Sequence, residues 1–406
     1  MPRFGLTIAR AAAQRHIPDG IFWRENDCTG QQLRSRCWHE PFAAYHVMRK
    51  RRMLARSVVG AIAGLLLFVS GAWGALALRY QLPGPPPLRL AGAIAWSVLY
   101  LALLVATFGW RLWWAPLCLV ALLAVLMAWW VMIPPRNDRL WADDVAHLLS
   151  GEVSGNRVTL HNVRNFAWRA EDDYDARWET RDYDLDHLVS ADAVLSYWSS
   201  EAIAHAMLSF GFDDGRHVVF SMEIRREKGE AFSEVGGFFK QFELVLIAAD
   251  ERDIIGVRTN VRGEDDYLFP LRMPREAMRS LFVSYVDAAN RLVEKPRFYN
   301  TITSNCTTIV YRMARRIDEG LPMDIRLLLT GYLPEYLMDN GALDNRMPVD
   351  EWRRLGRITD RARAARPGDD FSAVIRQGVP PAALPSEASP SSGDSTLKPL
   401  ASSAER

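Results

Sequence analysis

The sequence is short of net charge, of cysteine and of any periodic repeat. Over 406 residues the formal charge is only +1, which excludes the basic footprint of a nucleic-acid binder. The first 50 residues lack the pattern of a cleavable signal peptide. The acidic run EDDYDARWETRDYDLD (171–186) lacks the spaced oxygen ligands and glycine of an EF-hand loop. One exported cysteine without a clustered histidine pair supplies no zinc ligand set. No metal and no cofactor are expected.

Charge is also missing locally. SVVGAIAGLLLFVSGAWGALAL (57–78), LAGAIAWSVLYLALLVATFG (90–109) and WWAPLCLVALLAVLMAWWVMI (113–133) carry none. Each is long enough for a hydrocarbon core that needs about 20 apolar residues, and the third has Trp at both ends, where amphipathic rings favour the headgroup level. The lack of ionisable residues inside a span argues against a proton or ion pathway, and the three transmembrane helices read as an anchor. RKRRMLAR (49–56) precedes the first span and Arg111 lies between the second and third, whereas the loop 79–89 holds only Arg79 and Arg89. The positive-inside rule then puts the N-terminus and Arg111 in the cytoplasm and everything from Pro134 outside. The expected organisation is a cytoplasmic extension (1–56), three spans (57–133), an exported domain (134–377) and a Pro/Ser/Ala-rich disordered tail (378–406).

On this topology Cys28 and Cys37 are cytoplasmic, Cys118 lies in a span, and Cys306 is the lone exported thiol. An unpaired thiol in an oxidising compartment is a candidate nucleophile; the bland alternative is a small buried apolar side chain. After Cys306, Ile309, Val310, Met313 and Ile317 recur at helical spacing. Cys306 then falls in the first turn of a helix, where free N–H groups and the positive dipole end favour thiolate.

Thiolate chemistry needs a base, most often His. All eight histidines precede Cys306, so a dyad must run His first and Cys second. IAHAMLSFGFDDGRHVVFSMEIRRE (203–227) reads as two strands joined at Asp213-Asp214-Gly215, a three-residue loop with Gly in the left-handed position. In that register Phe212 faces Arg216, and His205 falls opposite Glu223 on one face. Glu223 there orients the imidazole and stabilises its charged form, leaving the other ring nitrogen for Cys306. A two-residue turn would put Glu223 on the opposite face.

Strands are expected at 158–169, 193–198, 242–249, 254–260 and 267–272, and a helix at 274–293 that opens with Pro and Glu. The domain is expected to be α+β with a mostly antiparallel sheet.

The runs from Asn137 to Trp198, then IAHAMLSFGF, SMEIRREKGEAFS, FFKQFELVLIAADERDIIGVRTN and YNTITSNCTT, resemble the Lnb N-terminal periplasmic domain family over about 137–365. The resemblance implies a periplasmic domain on a bacterial inner-membrane anchor, with His205 and Cys306 as active-site residues. The order His, then Asn-Cys, also resembles permuted papain- or NlpC-like folds such as lecithin:retinol acyltransferase, which implies lipid acyl chemistry. The family name is linked to N-acylation of lipoproteins. Cys306, His205 and Glu223 are thus the candidate catalytic residues. Asn305, Arg225 and Arg258 are the candidate substrate-binding residues, with a phospholipid or lipoprotein as the expected partner. Two other readings stay open: a peptidoglycan amidase or peptidase, and a non-catalytic envelope scaffold that binds lipid or a partner.

Overall fold

The computed structural model describes residues 34–382. Most of the expected N-terminal extension, residues 1–33, and most of the expected tail, 383–406, lie outside the described residues. The chain divides into two compact units, Met1–Ala72 and Trp73–Arg406.

Three long apolar helices come first: α1 (Arg34–Gln81), α2 (Pro86–Phe108) and α3 (Ala115–Met132). Stretches Met53–Gln81, Pro86–Phe108 and Ala115–Met132 are each long and apolar enough to span a membrane. Pro86 starts α2 from the first helical position, where a missing N–H costs nothing.

A mixed sheet with helices follows, so the fold is α+β as expected. The strands are β1 (Ser150–Ser154), β2 (Arg157–Arg164), β3 (Ala167–Trp168), β4 (Tyr174–Asp175), β5 (Trp178–Asp184), β6 (Leu188–Ser200), β7 (Ile203–Phe212), β8 (His217–Arg225), β9 (Glu243–Ala249) and β10 (Asp265–Pro270). The main sheet runs β1-β2-β9-β8-β7-β6-β10, with β5 also paired to β2. Its pairings are antiparallel except the short β2–β9 contact at Arg164↔Ala249. The acidic run at 171–186 contributes β4 and β5.

One face of the sheet carries Leu195, Leu208, Phe210, Phe220 and Leu246, packed against α5 (Arg275–Glu294) and α6 (Cys306–Ile317). The other carries Val194, Met207, Val219, Val245 and Ile247, covered by Ile254, Ile255, Ile358 and Phe371.

Residues 254–260 are not the expected strand. They form the end of helix α4 (Glu251–Gly256) and a π-helical turn, Val257–Arg262. β-branched composition suggested a strand, but two aspartates decide otherwise. The Asp250 side chain caps the helix by accepting from the Arg252 amide at 3.1 Å. Buried Asp253 then receives Arg164 through two bonds of 2.9 and 3.0 Å, with the Phe166 amide and Trp168 Nε1 at 2.8 and 2.7 Å. This network pins the helix to the end of β2.

Candidate active site

The β7–β8 hairpin has the three-residue loop. The Phe212 amide donates to Arg216 O at 2.9 Å, and Gly215 takes φ +85°, a conformation that L side chains rarely adopt. From that pair, alternate residues of β7 point their amides at β8: Phe210, Leu208 and then Ala206, whose opposite residue is Met222. The ladder stops at Met207↔Ser221, and the strands splay just where His205 and Glu223 stand. The N-terminus of α6 enters this opening, and the Ala206 amide donates to the Cys306 sulfur.

The helix start is rigidly built. Asn305 is the N-cap: its Oδ1 accepts from the Thr308 amide at 2.8 Å, and Thr308 Oγ1 accepts from the Asn305 amide at 3.1 Å, a reciprocal capping box. Asn305 Nδ2 donates to Thr301 O at 2.8 Å, and Thr307 Oγ1 donates to Leu327 O at 2.7 Å. Cys306 is thereby held as the first helical residue, 7% exposed.

His205 Nε2 lies 3.1 Å from Glu223 Oε1 and 2.7 Å from Ser221 Oγ, which itself donates to Glu223 Oε1 at 2.7 Å. Burial disfavours the imidazolium, yet Glu223 and the thiol hold His205 up at about 9 against the nearby Arg258 charge. Burial likewise opposes the thiolate, but the bond and charge of His205 and the Ala206 amide leave Cys306 below its ordinary value. Against its own burial, Glu223 is held well below the carboxylate range by His205 and Arg258. These directions favour an imidazolium–thiolate pair.

Behind the pair lies a second charge layer. Arg258 Nη2 donates to Glu223 Oε1 at 2.8 Å and Nη1 to Glu264 Oε2 at 3.1 Å. Ser196 bonds both Glu264 and Asp266, and burial lifts the Asp266 carboxyl to about 7. Arg258 sits in the π-helical turn, a distortion often found at functional sites.

His205, Glu223, Asn305, Cys306 and Arg258 all line one cavity of about 750 Å³, within the range of small-molecule sites. Residues 174–331 match the Lnb N-terminal periplasmic domain family. The match contains His205, Glu223, Arg258 and Cys306. Together with the three apolar helices it identifies a membrane protein with a periplasmic domain. No curated protein and no solved structure matches the chain, so the likeness to permuted papain-like folds rests on residue order alone.

The three residues expected to bind substrate each have partners within the fold. Arg225 does not line the cavity: it is buried, stacked 4.3 Å over Trp141, and donates to Val145 O and Ala146 O at 3.0 and 2.7 Å. Arg258 serves the two carboxylates, and Asn305 spends its amide on the cap. Ser221 and Glu264, and Arg262, which lines the same cavity, are additional to the expected set. Strand alternation marks Ser221, two residues before Glu223, as sharing its face; Arg262 and Glu264 carry no comparable local signal.

Proposed function

We propose that the protein is a membrane-anchored, thiol-dependent acyltransferase or hydrolase acting on lipid or lipoprotein acyl groups, its N-terminus cytoplasmic and its domain periplasmic. What supports this reading is a capped helix start that places Cys306 in one cavity with His205, whose Nε2 is held by a carboxylate. The Cys306 thiolate attacks an ester or amide carbonyl, forming a C–S bond. With the Thr308 amide occupied by Asn305, the Cys306 and Thr307 amides are the donors for the oxyanion; such a donor is worth about 3–4 kcal/mol. His205, with Nε2 held by Glu223 and Ser221, passes the proton from its other nitrogen to the departing alcohol or amine, leaving a thioester. Water or an amine then attacks the thioester, surrenders its proton to His205, and frees the thiolate.

The test is intact-protein mass spectrometry of the full chain after incubation with bacterial membranes. A hydroxylamine-labile acyl mass on Cys306, absent from Cys306→Ser, is expected. A trapped peptide or glycan fragment would replace lipid with peptidoglycan chemistry, and no adduct under any turnover condition would refute the nucleophile.

A further inference from the structure

One surface feature near this cavity is unexplained by the dyad: the segment AFSEVGGFFK (231–240) exposes three apolar side chains, Phe232 at 57%, Val235 at 45% and Phe238 at 41%. Phe232 and Phe238 also line the cavity. The segment is tied at both ends to the ends of the transmembrane helices. Ser233 Oγ lies 3.3 Å from Tyr80 OH, and Phe239 stacks on the Tyr80 ring at 5.6 Å. Gln81 Nε2 donates to Phe239 O and Lys240 O at 2.9 and 2.6 Å. Lys240 Nζ donates to Trp130 O and Ile133 O at 2.6 and 3.3 Å, placing its charge on the C-terminal carbonyls of α3, where a cation is favoured. Tyr80 and Trp130 are amphipathic rings of the type that sits at headgroup level.

These ties fix the height of the segment. Its ends touch the last turns of α1 and α3, so Phe232, Val235 and Phe238 lie beside the ends of these apolar helices. From Ala231 to Phe239 the one charge is the exposed Glu234, which headgroup water can solvate. Gly237 lets the backbone close against the domain, since a Cβ there would meet Thr301 Oγ1 at 2.5 Å. The lip is therefore a built structure, with one apolar edge outward and two of its phenyl rings in the cavity wall.

We infer that residues 231–239 form a lip seated in the outer leaflet, over which one acyl chain of a bilayer lipid passes laterally into the Cys306 cavity. This deepens the proposed acyl chemistry and rests on it for what happens to the chain, but not for where the chain lies.

The test uses the full chain in proteoliposomes of phosphatidylethanolamine and phosphatidylglycerol, doped with a phospholipid carrying a diazirine near the end of one acyl chain. After irradiation, the labelled residues are mapped by peptide mass spectrometry. Adducts are expected on 232–238 and, within the cavity, at Tyr299 or Leu328, in wild type and in Cys306→Ser alike. Exposed Val153 and Val189, outside the lip, serve as background, and lip labelling should exceed theirs at least tenfold. The double substitution F232D/F238D should reduce cavity labelling at least fivefold. Adducts confined to the transmembrane helices would overturn the seating of the lip; adducts on the lip without any in the cavity would overturn its role as an entrance. Cavity labelling with no acyl-Cys306 would sustain the entrance while refuting the thioester chemistry.

Discussion

Replacing Glu223 by Gln tests the site at its most connected atom. Glu223 Oε1 receives His205 at 3.1 Å, Ser221 at 2.7 Å and Arg258 at 2.8 Å. The amide keeps the shape and one acceptor but removes the charge that raises His205 toward about 9. A hydrogen bond to a charged group contributes about 1.5–3 kcal/mol, which converts to a rate loss of about 10- to 150-fold if the bond is spent in the transition state. That lies below the ~10⁴ cost of removing the orienting charge in a well-characterised triad, because Cys306 also draws on the Ala206 amide. The assay is the pH dependence of Cys306 labelling by a water-soluble alkylating probe. Wild type should label through a titration below the ordinary thiol value. In Glu223→Gln the histidine loses its proton earlier, so the labelling titration should move upward. Direct removal of a neighbouring negative charge pushes the thiol the other way, but that influence ranks behind both His205 contributions. Arg258 retains Glu264 at 3.1 Å, so the fold should survive, as a thermal melt would show. A folded Glu223→Gln protein with an unchanged labelling profile and unchanged turnover would refute the orienting role and leave the Cys306–His205 pair to another partner.

Other outcomes follow from the same contacts. His205→Ala should slow probe labelling of Cys306 near neutral pH by more than Glu223→Gln does; equal rates across all pH values would make Cys306 a bystander. A reporter active only outside the cytoplasm should work when fused after Arg136 and fail after Arg111, and the reverse would invert the membrane topology. Asp266, lifted to about 7 by burial, stays protonated in the fold while its unfolded counterpart ionises, so its contribution to stability falls as pH rises from about 4 to 7. Asp266→Asn should flatten the melting temperature over that interval, and parallel wild-type and variant curves would contradict the raised value. Asn305→Ala removes an N-cap worth about 1 kcal/mol, lowering the melting temperature by about 2–4 °C for a domain of this size.

Local chemistry made much of this site readable. The Asp-Asp-Gly loop sets the β7–β8 register through Gly215 alone, and that register places Glu223 opposite His205. Cys306 follows a polar cap and precedes an amphipathic run, so its place at a helix start was also legible. What escaped depended on residues far apart in the chain. Ile254–Asn260 looks like a strand until Asp253 meets Arg164, 89 positions earlier. Arg225 reads as available to an anionic headgroup, and Arg258 as a substrate-binding candidate, because the sequence around them does not show which carbonyls and carboxylates they meet. Arg225 is held by Val145 and Ala146, about 80 positions earlier, and Arg258 by Glu223, 35 positions earlier, together with nearby Glu264. The three transmembrane helices needed no such partners, since hydropathy alone specifies them.

The splayed hairpin gives the sulfur of Cys306 a second duty. In an unbroken ladder the Ala206 amide would meet the carbonyl of Met222; here the sulfur is the missing rung. Cys306→Ala would therefore strand a buried amide, at a cost of about 1–3 kcal/mol, as well as remove the proposed nucleophile. Loss of activity in that variant would mix damage to the sheet with loss of chemistry. Cys306→Ser retains an acceptor and separates the two. The thiol is thus a joint between strand and helix, and sequence drift at this position is constrained by architecture even where no bond is ever made or broken.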